Sequence, residues 1–343
     1  MPSTRFRHRR IAEARCRVDW SHVNSPHNLA QTLVRNLRPN PQELEKAPGR
    51  ATSGSGRYTL AAAQNADGGW GYFPGKQSWL EPTVYALLAL SAQSGEPAFA
   101  RGWRLIRSWE LPGGGWRGCA AVNEAHWATS LVVTLHAALG VYDAAFDRGV
   151  AWLTASIGVE GRLLSRMAHW LQPNIVEFDP ALTGWPWQAG ASSWIEPTAH
   201  ALMALRCAAH ASGSHLNNPD LSHPEAARRI ATGERMLLER RCSDGGWNYG
   251  NRRVLGADLP SYPETTAMAL MALNGHAGIQ WEAALHHVER IWRETRSPLA
   301  RAWLGAFLLQ YRGERPEPAA AGAGDNDLVV AALEAIRWDR ILA

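Results

Sequence analysis

The sequence has few cysteines, few lysines and no long apolar run. Its four cysteines, Cys16, Cys119, Cys207 and Cys242, stand far apart and form no CxxC pair or metal-type spacing, so neither a disulfide framework nor a zinc ribbon is indicated. No apolar stretch approaches the roughly 20 residues of a membrane-spanning helix, and no signal-peptide core follows the arginine-rich start. We expect a soluble cytoplasmic protein, with association with a membrane surface as the alternative.

The basic surplus lies at one end of the chain. The formal net charge is +4, yet residues 1–20 hold six arginines against Glu13 and Asp19, so the remaining residues sum to zero. A neutral body offers no phosphate-binding face, and short basic termini are typically solvated tails. We therefore expect no nucleic-acid partner, and nothing in the pattern fixes an oligomeric state.

Tryptophan is abundant, with 17 residues against seven tyrosines and six phenylalanines, and most of the tryptophans lie in an internal repeat. The stretch 64–90 returns 115 positions later without a gap, and looser copies begin at Asp244 and Pro112. Each copy places a glycine-tryptophan turn before a helix. Three copies open that helix with a glutamate and the fourth is aligned on a histidine; these residues are Glu81, Glu196, Glu264 and His126.

Helical spacing recurs through the chain, and no alternating pattern of convincing length predicts a strand. Short helices joined by glycine turns predict stacked helical hairpins in a ring or a solenoid. We expect a basic tail with a short helix over 1–50 and a helical barrel over 51–312. A linker and a C-terminal helix, packed on the barrel, are expected over 313–343.

The glutamates have a simple structural interpretation as well as a functional one. A proline follows Glu81 and Glu196 and suits the first helical position, so each glutamate is predicted to be the N-cap or its neighbour, stabilised by the helix dipole. The functional interpretation depends on the ring. If the repeats close, Glu81, Glu196, Glu264 and His126 converge around one cavity mouth.

The glycine-tryptophan turns and the Ala/Leu-rich helices after them resemble the prenyltransferase and squalene-cyclase repeat family over roughly residues 55–312. The resemblance implies an all-α (α/α)6 barrel around an aromatic cavity for an isoprenoid. In class II terpene cyclases of this family, a D-x-D-D-T motif opens one inner helix and its third residue protonates the substrate. Here the sequence Trp79-Leu80-Glu81-Pro82-Thr83 and its copies occupy that slot, without the neighbouring aspartates.

The resemblance also implies roles for particular residues. Glu81, Glu196 and Glu264 stand at the position of the general acid. The aromatic residues expected to bind substrate are Trp70, Trp79, His126, Trp127, Trp185, Trp187, Trp194, Trp247 and Tyr262. Protein prenyltransferases of the family hold zinc with Asp, Cys and His, but here Cys242-Ser243-Asp244 has these types in the wrong order and lacks a third ligand. We expect no metal and no cofactor.

Three functions remain open from the sequence. The first is a terpenoid-cyclase-like isomerase or lyase that uses a glutamate general acid. The second is a non-catalytic barrel that binds an isoprenoid, another lipid or a peptide, and the absent aspartates favour it. The third is an (α/α)-barrel polysaccharide lyase or hydrolase, for which Glu264 beside Tyr262 is the indication. A closed apolar pocket with one glutamate pointing in would support the cyclase, and an open groove lined by Trp, Glu and Arg would support the glycan enzyme. A cavity filled by side chains would support a scaffold.

Overall fold

The computed structural model describes residues 60–161, 179–215, 224–316 and 326–342, within a compact unit that spans Leu60–Ala343. The tail and short helix predicted over 1–50 lie outside the described residues. The described ranges contain eleven α-helices: α1 Leu80–Ala89, α2 Pro97–Ser108, α3 Thr129–Leu139, α4 Ala144–Ala155, α5 Ile195–His215, α6 Pro224–Glu239, α7 Pro263–Ala272, α8 Trp281–Glu294, α9 Pro298–Arg312, α10 Leu328–Ala335 and α11 Trp338–Ile341.

Six of these helices form a closed ring. Helices α1, α3, α5, α7, α9 and α10 each pack against the next, and α10 packs back onto α1; we call these the inner helices. Helices α2, α4, α6 and α8 pack against α1, α3, α5 and α7 from outside and are the outer helices. The described chain is therefore an (α/α) barrel, which confirms the predicted all-α class.

The inner helices run in one direction. Their C-terminal ends surround a cavity of about 880 Å³, with late residues such as Leu88 of α1, Ala138 of α3 and Gln310 of α9 in its lining. Their first residues consequently gather at the opposite end of the barrel, which we call the mouth. The glutamates predicted from the repeat all lie in the first turns of inner helices and so belong to the mouth.

Four buried tryptophans join each turn to the inner helix that follows it. The backbone N–H of each donates to a threonine Oγ1 in that helix, in the pairs Trp70 to Thr83 (3.0 Å), Trp116 to Thr129 (2.9 Å), Trp185 to Thr198 (2.9 Å) and Trp247 to Thr266 (3.0 Å). Because each acceptor satisfies a buried N–H, the turn is fixed in place against the first turn of the helix. Gly68 and Gly245 adopt positive φ in two of these turns, as the sequence predicted.

The tryptophan rings fill the space between inner and outer helices. The Trp70 indole N–H donates to the Leu60 carbonyl at 2.7 Å, and the Trp185 indole to the Leu153 carbonyl at 2.8 Å. Outer-helix glycines make room for the rings: a Cβ built on each would meet the tryptophan ring in the pairs Gly102 and Trp70 (2.8 Å), Gly149 and Trp116 (2.9 Å) and Gly233 and Trp185 (2.8 Å). These glycines therefore set the distance between the two layers.

The C-terminal segment differs from the expectation. The C-terminal helix expected within 313–343 breaks at Ile336, giving α10 and the short α11. Helix α10 packs between α9 and α1 as the sixth inner helix, and the Leu328 N–H donates to the Tyr72 carbonyl at 2.9 Å. This helix thus completes the ring, although its residues follow the boundary that the sequence placed at 312.

Four two-residue strands, which the sequence did not predict, lie in the described loops. They are β1 Trp185–Pro186, β2 Ser193–Trp194, β3 Arg253–Val254 and β4 Ala257–Asp258, paired antiparallel as β1 with β2 and β3 with β4. Strands of this length are too short to produce a recognisable period-two pattern.

Candidate functional site

The three glutamates occupy equivalent places at the mouth. Glu81, Glu196 and Glu264 are each the second residue of an inner helix, and all three keep part of their surface accessible. The N-caps of α1 and α7 are Trp79 and Tyr262, and neither makes a side-chain capping bond. The prediction that the glutamate is the N-cap or its neighbour is therefore off by one residue. The glutamate side chains of α1 and α7 instead reach tyrosines of the preceding turns.

Two of the glutamates accept a hydrogen bond from a tyrosine two residues after the tryptophan of their own repeat. The Tyr72 hydroxyl donates to Glu81 Oε2 at 2.6 Å, and the Tyr249 hydroxyl donates to Glu264 Oε1 at 2.7 Å. In the remaining repeat this place belongs to Trp187. Within the described ranges, no hydrogen-bond donor reaches the Glu196 carboxylate. Glu196 therefore differs chemically from its two counterparts.

The glutamates act on one another electrostatically. Burial raises the pKa of Glu196 well above its usual range, and the Glu81 and Glu264 carboxylates raise it further. Burial also raises the pKa of Glu81 to about 7, with Asp327 contributing in the same direction and the Tyr72 hydrogen bond opposing it. Glu196 consequently holds its proton more tightly than an ordinary glutamate, while its side chain stays partly accessible.

The mouth is acidic. Asp327 caps α10 by accepting from the Val329 and Val330 N–H groups, and its charge adds to those of the glutamates. Among the described residues, no arginine or lysine acts on the pKa of Glu81 or Glu196. This part of the chain also contains no group of three or more His, Cys, Asp or Glu side chains spaced to hold a metal ion. An entering phosphate group would be repelled here.

Four buried aromatic side chains pack together inside the barrel, and two of them, Tyr85 and His200, lie one helical turn below Glu81 and Glu196. The Tyr85 hydroxyl lies 3.2 Å from His200 Nε2, and the Trp127 and Trp303 rings lie 5.3 and 5.4 Å from the His200 ring. All four side chains are at most 4% exposed, and burial lowers the pKa of His200 to about 3. These four residues form a floor, so a ligand of the glutamates would lie at the mouth rather than deep in the barrel.

The sequence analysis missed most of this floor. Tyr85 and His200 lie four residues after Glu81 and Glu196, on the same helix faces, and this spacing was a usable signal. Trp303 belongs to α9, which carries no repeat turn, so the sequence held no comparable indication for it.

The predicted aromatic residues divide into two groups. Trp79, His126, Trp187 and Trp194 are half-buried near the starts of inner helices, and Tyr262 is 43% exposed. Trp127 belongs to the floor and packs edge-on against Trp187 at 5.0 Å. The prediction that Trp70, Trp185 and Trp247 bind substrate does not hold, because these rings are at most 2% exposed and are enclosed by protein.

His126 does not replace a glutamate. Its N–H donates to the Trp116 carbonyl at 2.7 Å, the bond that Trp79 makes to Trp70 and Tyr262 makes to Trp247. The residue two positions before Thr129, where the glutamates precede their own threonines, is Trp127. The His126 ring lies 5.7 Å from Trp127, and burial lowers the pKa of His126 to about 4. This repeat therefore contributes aromatic surface and no carboxylate.

A buried ion pair supports the strand that leads into Glu196. Glu160 and Arg240 are at most 5% exposed and lie 3.5 Å apart. Glu160 accepts from the Ser193 N–H at 2.9 Å, and Arg240 donates to the Ser193 carbonyl at 2.8 Å. Because both backbone groups of Ser193 are held by charged partners, the start of α5 is fixed in position.

The fold and the mouth define a helical (α/α) barrel with an acidic, aromatic-lined entrance. Among solved structures, the family 8 glycosyl hydrolase Cel10 of Klebsiella pneumoniae, an endoglucanase, matches with a TM-score of 0.52 and 14% identity over 82% of this chain and 96% of that chain. The type II terpene cyclase MstE from Scytonema matches with a TM-score of 0.44 and 20% identity over 82% of this chain and 76% of that chain. At these identities the likeness concerns the fold alone.

A sequence relative supports the resemblance to terpenoid cyclases. Drimenyl diphosphate synthase of Streptantibioticus cattleyicolor is 44% identical over 79 residues, which are 22% of this chain and 14% of the synthase. The match thus spans about one seventh of that protein. No family model matches the chain. In the described ranges, no helix is both long and apolar enough to cross a membrane.

Proposed function

We propose that this barrel binds an isoprenoid chain at its mouth and protonates one of its double bonds, with Glu196 as the general acid. One observation carries the proposal: within the described ranges no hydrogen-bond donor reaches the partly accessible Glu196 carboxyl, and burial together with the Glu81 and Glu264 carboxylates raises its pKa well above the usual range. A general acid must hold its proton at the working pH and present it to the substrate. Glu81 and Glu264 are less suited, because a tyrosine hydroxyl already donates to one oxygen of each carboxylate.

The reaction would proceed as follows. The O–H bond of Glu196 breaks while the π electrons of the alkene form a new C–H bond, which leaves a carboxylate on Glu196 and a cation on the adjacent carbon. A second double bond can then add to the cation, which moves the positive charge to another carbon, and the last cation loses a neighbouring proton to water. A proton from water restores Glu196, whose side chain remains partly accessible. Atoms and charge balance at each step.

The surroundings of Glu196 favour a cationic intermediate. Proton transfer converts a neutral pair into an ion pair, and the nearby Glu81 and Glu264 carboxylates attract the new positive charge. The Trp187 and Trp127 rings add the negative faces of their π systems. Because the mouth repels phosphate, the hydrocarbon end of the substrate would enter first. The sequence match to a synthase named for drimenyl diphosphate supports an isoprenoid as the substrate class.

The experiment incubates the purified protein with squalene, linear prenyl alcohols and linear prenyl diphosphates, and analyses extracts by mass spectrometry. We expect a product isomeric with one of these substrates, and its loss in Glu196→Gln with unchanged folding. Bound substrate without product would instead support a non-catalytic barrel. The absence of both product and bound lipid at high protein concentration would refute the proposal.

A glycan-acting enzyme is the second candidate. It is favoured by the accessible mouth, where several glutamates lie near one another, since glycosidases use pairs of carboxylates. Tyr262 is 43% exposed and its ring lies 5.0 Å from Tyr249, the partner of Glu264. Release of reducing ends or unsaturated sugars from soluble polysaccharides, with loss in Glu264→Gln, would establish this function in place of the first.

A further inference from the structure

A second candidate site lies at the end of the barrel opposite the mouth. The cavity of about 880 Å³ at this end, which we call the far cavity, is near the upper end of the range for small-molecule sites, about 300–1,000 Å³. Leu88 at its base lies three residues after the floor residue Tyr85, and Met203 lies three residues after His200. The floor therefore stands between this cavity and the mouth, and a ligand here would not contact the glutamates.

The far cavity is apolar at its base and polar at its opening. The base residues Leu88, Met203 and Met271 are at most 2% exposed. The lining residues Asn274 and Arg340 are exposed and mark the opening. Methionine side chains adapt their shape to apolar ligands. This gradient suits an amphipathic molecule whose hydrocarbon chain enters first and whose polar head group stays at the opening.

The side chains of the opening are basic. Three arginines line the far cavity, namely Arg206, Arg337 and Arg340, and among the described residues no aspartate or glutamate lines it. The two ends of the barrel interior thus differ in sign, because carboxylates surround the mouth. A negatively charged head group is consequently favoured at this end and disfavoured at the other.

Two of the arginines are neutralised by carboxylates, and the third is not. Arg206 pairs with Glu234 at 2.5 Å, and the Arg337 Nε donates to Asp339 at 2.9 Å. Arg340 also acts on Asp339, but a single carboxylate cannot neutralise two guanidinium groups. In the part of the chain that the structure describes, Arg340 has no other carboxylate partner. Three arginines against two carboxylates leave one positive charge, which matches a head group with one negative charge.

Helix α11 fixes the backbone that carries Arg340. Trp338 of this helix is fully buried, and its ring lies 5.8 Å from the Trp303 ring of the floor. The Cys207 thiol donates to the Ile341 carbonyl at 3.4 Å. Because these two contacts flank Arg340 in the sequence, its Cα is held at the wall of the cavity while the guanidinium remains exposed.

The base of the cavity disfavours an anionic group. Leu88 and Met271 lie in the last turns of α1 and α7, where the helix carbonyls carry partial negative charge. This effect is confined to the last turn of a helix. A negative head group is therefore expected at the opening beside Arg340, and the hydrocarbon chain at the base.

We propose that the far cavity binds a long-chain carboxylic acid, with its carboxylate on Arg340 and its hydrocarbon chain against Leu88, Met203 and Met271. A carboxylate carries the single negative charge that the opening neutralises, and the planar guanidinium matches its two oxygens. The chain displaces water from the apolar base, which favours binding. This binding does not depend on the reaction proposed for the mouth.

The experiment compares probes that share one hydrocarbon chain and differ in the head group: oleate, oleyl alcohol and oleylamine. Each is titrated into the purified full-length protein below its critical micelle concentration, and binding is measured by calorimetry. We expect a saturable site that binds oleate roughly tenfold more tightly than oleyl alcohol, with oleylamine the weakest. The absence of a saturable site, or oleylamine binding as tight as that of oleate, would overturn the proposal.

Variants locate the carboxylate. Arg340→Gln should weaken oleate binding roughly tenfold and leave oleyl alcohol binding unchanged, because only the carboxylate loses its partner. Arg340 is exposed, so the variant should fold normally. Arg290→Gln, which removes an exposed arginine from the outer helix α8, is the matched control and should change neither affinity. Unchanged oleate affinity in Arg340→Gln, or loss of oleate binding in Glu196→Gln, would place the ligand elsewhere and refute the site.

Discussion

The Tyr72 hydroxyl donates a 2.6 Å hydrogen bond to the Glu81 carboxylate, and this bond stabilises the ionised form of that glutamate. The corresponding contact is absent at Glu196, where Trp187 takes the place of the tyrosine. One aromatic difference between repeats thus gives Glu81 a donor that opposes the rise of its pKa and leaves Glu196 without that donor. This difference can be changed by mutation.

Trp187→Tyr should supply Glu196 with the donor that Glu81 already has. We expect the pKa of Glu196 to fall, because the hydroxyl stabilises the carboxylate. Each unit by which the pKa falls below the working pH lowers the protonated fraction about tenfold. The measurement is the carboxyl ¹³C chemical shift during a pH titration, with Glu196→Gln used to assign the signal. An unchanged titration would show that Trp187 does not set the state of Glu196.

Glu81→Gln should change how stability depends on pH. The folded-state pKa of Glu81 is about 7, above the unfolded value of 4.5, so the folded chain retains this proton as pH rises. Its contribution to stability is fully present below about pH 4.5 and is lost as pH rises to about 7, by at most about 3 kcal/mol. Denaturant unfolding across this range should show a steeper decline in the wild type than in Glu81→Gln, and parallel profiles would contradict the assignment.

Gly102→Ala should destabilise the barrel. The added Cβ would lie 2.8 Å from the Trp70 ring, which has no free space to move into. Overpacking of this kind costs about 1–3 kcal/mol. Gly305→Ala is the matched control: it also lies in a helix, but its nearest neighbour would be Arg315 Cγ at 3.7 Å. That variant should gain up to about 1 kcal/mol from helix propensity. Equal effects of the two variants in thermal unfolding would contradict the role given to Gly102.

Glu160→Ala should be strongly destabilising. It leaves the Arg240 guanidinium buried without its carboxylate and deprives the Ser193 N–H of its acceptor. Removal of one partner from a buried pair costs about 3–5 kcal/mol. The double variant Glu160→Leu with Arg240→Met should recover part of this loss, because no charge remains buried. A loss below about 1 kcal/mol in the single variant would show that water reaches Arg240.

The sequence was sufficient for the barrel and for the equivalence of Glu81 and Glu196, because the 115-residue repeat between them has no gap. A looser copy added Glu264. The sequence was not sufficient for the sixth inner helix, since α10 has no glycine-tryptophan turn and follows a segment with linker composition. Nor could it show which way a tryptophan faces. The sequence does not distinguish Trp70 from Trp79. The contact between the Trp70 ring and Gly102 of an outer helix shows that Trp70 points away from the mouth.

The alignment of His126 with the repeated glutamates was wrong for a related reason. The segment from Trp116 to His126 is one residue longer than the segment from Trp70 to Trp79, while the distance from tryptophan to threonine is 13 in both. Alignment on the helix start therefore misplaced the histidine. Alignment on the hydrogen-bonded threonine would have placed Trp127 correctly.

The closure of the ring by α10 has a kinetic consequence. The contact between α10 and α1, including the bond from Leu328 to Tyr72, joins segments from opposite ends of the described chain. Closing a loop of this length is slow, because the chain loses conformational entropy before it gains the stabilising contact. During synthesis, we expect α1 to lack its contacts with α10 until α10 has been made. The nascent protein thus passes through an open arc of helices, and its exposure to chaperones and proteases ends only when the last inner helix docks.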